Sequence, residues 1–214
     1  MANGARTYSF TLSMIDIDTV GTIKKGTMIA IGKPVPDGTY QAYAEDSIQS
    51  VTFNDQRGKW LIVFFYPGDF TFVCPTELAE MAKLYPEFQK LGAQVWGVST
   101  DSVFVHKAWH DASATIRSVK FPLIADPTRA LSQAFGVYLE DDGVALRGTF
   151  LIDPDGVLRA CEMHDNSIGR NADETLRKLQ AAIRVRSGEG EVCPASWQPG
   201  QATLKPGLDL VGKL

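Results

Sequence analysis

Cysteine is scarce in this chain of 214 residues, which carries only Cys74, Cys161 and Cys193. Three cysteines cannot form the dense disulfide framework that stabilises small secreted domains. In a cytosolic protein, an isolated cysteine is either a small buried hydrophobic residue or a reactive group. The choice between these two roles therefore bears directly on what the chain does.

The sequence also lacks the segments that direct a chain into or across a membrane. Its longest apolar run, Trp60–Tyr66, has seven residues, whereas a membrane-spanning helix needs about 20. Residues 1–11 contain one basic residue and no apolar stretch of the kind found in secretory signals. We therefore expect a cytoplasmic protein with no membrane partner.

Positive charge is not in excess either, because 21 lysines and arginines face 25 aspartates and glutamates, for a net charge of −4. A surface for nucleic acid or anionic lipid is ordinarily basic, so we expect no nucleic-acid partner. The hydrophobic fraction of 44% and the charged fraction of 21% are typical of an ordered globular domain.

Apolar periodicity predicts alternating strands and helices, which is the order of an α/β fold with a central mixed sheet and helices on both faces. Strands are expected within 13–33, within 34–58, and at 60–66, 94–98, 121–124, 148–152 and 157–163. Helices are expected at 75–91, 102–117 and 128–135, and after Asn171, which can cap a helix with Glu174 at its third position. Pro86 lies inside the first of these helices and should kink or split it.

The sequence divides into three parts. Residues 1–12 form an N-terminal extension, and residues 13–186 form the α/β domain. Residues 187–214 form an extended C-terminal tail, in which repeated glycine and proline exclude a long regular element. The tail contains Cys193.

Cys74 directly precedes Pro75 and therefore stands at the start of the helix that follows the buried strand 60–66. A helix N-terminus stabilises an anion, and the carboxyl ends of strands are where ligands bind in such sheets. Residue type alone favours an inert buried thiol. The break at residues 67–69, followed at once by a helix start, favours a reactive cysteine instead.

Three segments resemble those of a known family. Residues 65–77 (FYPGDFTFVCPTE) strongly resemble the active-site segment of peroxiredoxins, whose pattern Pro-x-x-x-Thr-x-x-Cys is present as Pro67, Thr71 and Cys74. Residues 190–195 (GEVCPA) resemble the resolving-cysteine segment of the typical 2-Cys group. Residues 208–213 (LDLVGK) resemble the end of the bacterial alkyl hydroperoxide reductase peroxidase subunit. The resemblance runs from about residue 13 to residue 214 and implies a thioredoxin-like fold of the peroxiredoxin type.

The resemblance implies a thiol-dependent peroxidase that acts on hydrogen peroxide and organic hydroperoxides, in antioxidant defence and redox homeostasis. Cys74 would be the peroxidatic nucleophile, Thr71 would place its hydroxyl against the thiolate and the peroxide, and Pro67 would shield the pocket. Arg147, in the segment LRGTF, matches the family's active-site arginine. Without the resemblance, Arg147 would be read as a solvated residue at a strand start.

Glu77 and Arg170 match family positions that orient the arginine and the cysteine loop. A plain surface salt bridge is the alternative interpretation of this pair. No haem, flavin, metal or other cofactor is implied by the resemblance.

Attack on a peroxide would leave Cys74 as a sulfenic acid, which condenses with a thiol to a disulfide. Cys193 is the candidate resolving thiol, and the sequence itself leaves open whether it meets the Cys74 of its own chain. The resemblance implies an intersubunit disulfide in an antiparallel homodimer, five such dimers forming a decamer. It also implies a reductase for this disulfide, either a thioredoxin-like protein or a flavoprotein.

Cys161 and the pair His106 and His110 also carry side chains that can react or bind metal, but neither is expected to do so here. Cys161 falls on the strand predicted at 157–163, which forms a hairpin with the strand predicted at 148–152. It is expected to be a buried packing thiol. His106 and His110 have the i, i+4 spacing of a zinc pair, but no third ligand stands at a recognised spacing, so no metal site is expected.

Two alternative functions are considered. A dithiol–disulfide oxidoreductase would need Cys-x-x-Cys at the helix start, and Thr71 occupies the first of those positions. A redox-regulated chaperone or a thiol redox relay is compatible with the same residues and stays open.

Overall fold

A seven-stranded mixed sheet organises the computed structural model of the chain, which describes residues 29–213. The spatial order of its strands is β2-β1-β5-β4-β3-β8-β9, and β6 and β7 form a separate ribbon. The strands are β1 (Thr39–Ala44), β2 (Ser47–Thr52), β3 (Trp60–Phe65), β4 (Ala93–Ser99), β5 (Leu123–Ala125), β6 (Tyr138–Leu139), β7 (Val144–Ala145), β8 (Arg147–Ile152) and β9 (Leu158–His164). The helices are α1 (Cys74–Lys90), α2 (Val103–Ala112), α3 (Ala130–Ala134) and α4 (Ala172–Ser187).

The central strand β3 is buried along its whole length because helices cover both faces of the sheet. Ile62 and Phe64 belong to the core cluster that contains the buried side chains of α1 and α4. Val63 and Phe65 belong to the opposite cluster, which contains Leu131 of α3. β3 runs parallel to β4 and antiparallel to β8. The predicted α/β fold with helices on both faces is thus confirmed, and among residues 29–213 no helix is both long and apolar enough to cross a membrane.

The region between residues 34 and 58 contains a two-stranded hairpin where the sequence predicted one small strand. β1 and β2 pair from Thr39↔Thr52 to Ala44↔Ser47. The turn residues Glu45 and Asp46 both have positive φ, 50° and 59°, as a two-residue hairpin turn requires. The turn was missed because the usual signal for it, Asn-Gly or Asp-Gly, is absent. Most of the strand region predicted over 13–33, and the boundary between residues 12 and 13, lie outside the described residues.

Helix α1 continues without a break through Pro86, so this proline does not split the helix, while the alternative of a kink stays a prediction. Pro86 lies on the exposed side of the helix, where water can bond the carbonyl that its missing N–H leaves free. The buried side chains Met81, Tyr85 and Phe88 lie on both sides of Pro86 and pack into one core cluster. Through this packing, both halves of the helix contribute side chains to the same core cluster against the sheet.

The second predicted helix is shorter than expected. α2 ends at Ala112, and a separate 3-10 turn follows at Ile116–Ser118. The predicted cap of α4 is confirmed, because the side chain of Asn171 accepts a hydrogen bond from the Glu174 backbone N–H at 3.1 Å.

The tail folds back against α4 after this helix ends at Ser187. Val192 and Leu204 exchange two backbone hydrogen bonds of 2.8 and 2.9 Å. Trp197 is buried, and its carbonyl accepts a hydrogen bond from Arg177 of α4 at 3.1 Å. Arg184 of α4 also donates a hydrogen bond to Glu191. The segment that carries Cys193 is therefore anchored on α4 both before and after this cysteine.

Gly97 in the middle of β4 leaves room for the side chains of Leu123 and Phe121. A Cβ at this position would stand 2.8 Å from Leu123 Cδ2 and 3.4 Å from Phe121 Cε2. We expect Gly97→Ala to lower the free energy of unfolding by about 1–3 kcal/mol through overpacking, as measured by urea denaturation. Adding Leu123→Val, which removes the Cδ2 atom, should cost less in the Gly97→Ala chain than in the wild type; strictly additive effects would contradict this explanation.

Candidate active site

Residues 66–73 lead from the carboxyl end of β3 to the start of α1, and Cys74 is the first residue of that helix. The Cys74 side chain is fully buried. Val73 stands at the cap position without a capping side-chain hydrogen bond, and Pro75 lies in the first turn. The positive end of the helix dipole is thus not offset by a polar cap, and Cys74 lies at that end.

Arg147 brings a guanidinium to this sulfur from the first position of β8. Its Nη1 lies 3.4 Å from Cys74 Sγ and 2.7 Å from Glu77 Oε2. The Arg147 side chain is only 4% exposed, so its charge acts with little screening by water. The structure therefore brings together the cysteine and the arginine that the sequence selected.

Glu77, one turn further along α1, lies between two arginines. Its carboxylate accepts hydrogen bonds from Arg170 Nε at 2.9 Å and Nη2 at 3.0 Å, besides the one from Arg147. The backbone N–H of Arg170 also donates to it, at 2.8 Å. Burial by itself raises the pKa of Glu77, but Arg170 and then Arg147 outweigh that effect and hold the pKa below its usual value. Glu77 is therefore ionised at neutral pH.

Arg170 is fixed on its remaining sides as well. Its Nη1 donates to the carbonyl of Gly148 at 2.9 Å and to Thr149 Oγ1 at 3.2 Å. Its guanidinium carbon lies 3.3 Å from the centroid of the Phe64 ring. The pair of Glu77 and Arg170 is therefore a buried ion pair, and the surface salt bridge considered as its alternative is excluded.

Asn166 also contacts Arg147, and no sequence motif pointed to this residue. Its backbone carbonyl accepts hydrogen bonds from Arg147 Nε at 3.0 Å and from Nη2 at 2.7 Å. A backbone carbonyl is present in every residue and carries no residue-type signal. The one feature of the sequence that could have indicated this contact is that residues 165–171 connect β9 to α4.

The loop before Cys74 is tied to α2 through a buried carboxylate. Asp69 accepts a hydrogen bond from the Tyr66 hydroxyl at 2.8 Å, and its other oxygen lies 2.7 Å from His106 Nδ1. Burial raises the pKa of Asp69, and the hydrogen bond with His106 opposes this shift. His106, weighed above as half of a zinc pair, is thus the partner of a carboxylate that fixes the loop.

Thr71 and Pro67 lie in the same loop. The Thr71 hydroxyl donates to the carbonyl of Gly68 at 2.8 Å, which closes a bend in the loop. Pro67 lies two residues after the end of β3 and is half-buried. The expected contact of Thr71 with a thiolate and a peroxide, and the shielding role of Pro67, stay predictions.

The other two cysteines lie apart from this cluster. Cys193 is half-buried, with its Sγ 3.7 Å from the carbonyl of Ala181 in α4. Cys161 is exposed, so the prediction of a buried packing thiol is wrong. The reason is that β9 is the edge strand, and Cys161 lies on the face of β9 whose side chains are exposed. Partial burial, followed by the charge of Glu162, raises the pKa of Cys161.

Comparisons with known proteins agree with this geometry. Residues 31–161 match the AhpC/TSA family, and residues 182–212 match the family described as the C-terminal domain of 1-Cys peroxiredoxin. The second match includes Cys193.

Individual relatives cover most of the chain. Alkyl hydroperoxide reductase C of Escherichia coli K12 is 52% identical over 174 residues, which are 81% of this chain and 93% of the relative. The crystal structure of Enterococcus faecalis AhpC has a TM-score of 0.76 at 44% identity and covers 78% of this chain and 100% of its own.

A reduced 2-Cys peroxiredoxin of Plasmodium vivax has a TM-score of 0.80 at 34% identity and covers 84% of this chain and 94% of its own. These matches confirm the thioredoxin-like fold of the peroxiredoxin type. The chain therefore belongs to the AhpC/TSA family and is a peroxiredoxin, an enzyme that reduces peroxides with a cysteine thiol.

Proposed function

We propose that Cys74 is the peroxidatic cysteine and that it reduces hydrogen peroxide and small organic hydroperoxides. The observation that carries this proposal is the distance of 3.4 Å between Arg147 Nη1 and Cys74 Sγ inside a buried ion cluster. Arg147, Arg170 and Glu77 together have a formal charge of +1. A thiolate on Cys74 brings that sum to zero, so the cluster favours the reactive form of the sulfur.

The reaction follows from this charge arrangement. The thiolate of Cys74 attacks one peroxide oxygen, the O–O bond breaks, and the other oxygen leaves as hydroxide or alkoxide, which takes up a proton. The sulfur gains the oxygen and becomes a sulfenic acid while the peroxide is reduced to water or an alcohol. The N–H donors of Arg147 stabilise the charge that develops between the two oxygens, and the Thr71 hydroxyl helps to place the peroxide behind the shield of Pro67.

Cys193 of the partner subunit resolves the sulfenic acid. Its thiol displaces water from the Cys74 sulfenic acid and forms a disulfide. A disulfide needs Cα atoms within about 7 Å, yet Cys74 is fully buried and Cys193 is held on α4. The first turn of α1 must therefore unwind, and no side-chain cap holds this turn, because Val73 at the cap position provides none.

Assembly and reduction complete the proposed cycle. The chain forms antiparallel homodimers, five of which make a decamer, and a thioredoxin-like protein or a flavoprotein reductase restores both thiols in the cytoplasm. Exposed aromatic side chains support a surface for assembly, since Phe70, Phe72 and Phe104 are 57%, 93% and 70% exposed. A redox-regulated chaperone or a thiol redox relay is the alternative role, and protection of client proteins by Cys74→Ser would support it.

The resolving step is tested on a non-reducing gel after one equivalent of hydrogen peroxide. We expect a band at dimer mass for the wild type and for the control Cys161→Ser, and none for Cys193→Ser, because only Cys193 forms the intersubunit disulfide. A wild type that stays at monomer mass with its thiols consumed would indicate an intrachain disulfide or a mechanism with one cysteine. No loss of thiol would contradict the peroxidatic role of Cys74.

The role of Glu77 is tested by Glu77→Gln, which leaves two buried guanidiniums without a counter-charge. We expect it to lower the free energy of unfolding at pH 7 by about 3–5 kcal/mol, as measured by urea denaturation. The folded-state pKa of Glu77 is lowered. Its contribution is therefore complete above its ordinary pKa, and it is lost as the pH falls through the lower folded value.

The difference between wild type and Glu77→Gln should accordingly shrink as the pH falls below about 4.5. The control is Glu80→Gln, which removes an exposed carboxylate from the same helix and should change little at any pH. A difference for Glu77→Gln that stays constant down to pH 3 would contradict the assignment.

A further inference from the structure

One peptide unit, the one that joins Asn166 to Ser167, links the active-site arginine to an aspartate outside the ion cluster. Its carbonyl is the acceptor for both Arg147 Nε and Arg147 Nη2, at 3.0 and 2.7 Å. Its N–H, which belongs to Ser167, donates to Asp165 Oδ1 at 2.8 Å. Because a peptide unit is planar, whatever fixes the direction of the N–H also fixes the direction of the carbonyl.

This peptide unit is the middle one of a β-turn, where two orientations are available. The turn spans Asp165 to Ile168 and is closed by a backbone hydrogen bond of 3.0 Å between them. The middle peptide units of type I and type II turns point in opposite directions, and type II requires positive φ at the third residue. Ser167 is not among the residues with positive φ, as type I requires. The reversed orientation would turn the Asn166 carbonyl away from Arg147.

The side chain of Asp165 opposes that reversal. Its Oδ1 accepts both the Ser167 N–H at 2.8 Å and the Ser167 hydroxyl at 2.6 Å. Reversal of the peptide unit would break the first bond and direct the Asn166 carbonyl toward the carboxylate. The hydroxyl and the N–H of Ser167 also lower the pKa of Asp165, so that its carboxylate is charged at neutral pH.

The neighbouring residues of the loop contact the cysteine side of the site. A Cβ at Gly169 would lie 3.4 Å from Val73 Cγ1, so the loop passes close to the residue before Cys74. The Arg170 N–H donates to Glu77. The conformation of residues 165–170 therefore affects the positions of side chains on both sides of the ion cluster.

We propose that Asp165 is a positioning residue for the peroxidase reaction, in that it holds the Asn166 carbonyl toward Arg147 and thereby keeps the guanidinium against Cys74. Asp165 acts through the Asn166–Ser167 peptide unit and Arg147, and it does not touch the sulfur itself. The inference rests on the proposed function, in which Arg147 stabilises the Cys74 thiolate.

The test uses a chain with Cys161→Ser and Cys193→Ser, so that Cys74 is the sole thiol. Asp165→Ala, Asp165→Asn and the control Asp173→Ala, which removes a nearby exposed carboxylate, are made in this chain. Two quantities are measured: the ultraviolet absorbance of the thiolate as a function of pH, and the rate of thiol oxidation by hydrogen peroxide. Melting temperatures establish that each variant is folded.

We expect Asp165→Ala to shift the thiolate curve to higher pH and to slow oxidation by about tenfold, because Arg147 is displaced from the sulfur. Asp165→Asn should restore both quantities, since its amide oxygen can accept the same N–H. Asp173→Ala should match the parent chain. Ser167→Gly, which admits positive φ, should lose more than Ser167→Ala, which removes only the hydroxyl.

The proposal is overturned if Asp165→Ala matches the parent chain in both measurements. It is equally overturned if Asp165→Asn is as impaired as Asp165→Ala, or if Asp173→Ala shows the same loss, since a hydrogen-bond acceptor at position 165 would then not explain the effect. The thiolate curve needs no peroxide. A parent chain that forms the thiolate but does not react with peroxide would therefore contradict the proposed function, while the curves would still decide the role of Asp165.

Discussion

The carboxylate of Glu77 lies between the guanidiniums of Arg147 and Arg170, and all three side chains are almost completely buried. Burying three charges is costly unless each is paired and hydrogen-bonded, and here Glu77 alone accepts four hydrogen bonds from the two arginines. The contact joins α1, β8 and the loop before α4, which are distant in sequence. The position of Cys74 relative to its cation depends on this junction.

The same junction couples the chemistry of Cys74 to the stability of the first turn of α1. In the proposed cycle, a thiolate on Cys74 would balance the excess positive charge of the three side chains and favour the folded, buried site. Conversion to a sulfenic acid would remove this negative charge from the sulfur and weaken the hold on Cys74 at the stage when the turn must unwind. The hydrogen bonds from both arginines to Glu77 would then confine the unwinding to the residues before Glu77.

Local patterns predicted the parts of the molecule that are set by neighbouring residues. The apolar run of β3, the helix start at Cys74 and Pro75, and the Asn171 cap are all of this kind. Pro86 misled because its effect depends on which side of the helix it faces, and Cys161 misled because burial on an edge strand depends on what covers each face. Neither of those facts is local.

The ion cluster itself could be selected only through the family resemblance, since Glu77 is separated by 70 residues from Arg147 and by 93 from Arg170. The contact of the Asn166 carbonyl could not be predicted from the sequence because a backbone acceptor has no residue-type signal. The pairing of Asp69 with His106 could not be predicted because a buried pair has no fixed spacing. The roles of Thr71, Pro67 and Cys193 stay predictions.

We propose that the positive charge of Arg147 at the sulfur makes Cys74 a fast thiolate nucleophile. The second-order rate constant of thiol oxidation by hydrogen peroxide tests this proposal, measured by stopped flow for the wild type and Arg147→Gln at neutral pH. We expect a decrease of about 10²–10³-fold in a variant that is still folded by circular dichroism. A folded Arg147→Gln that reacts as fast as the wild type would contradict it.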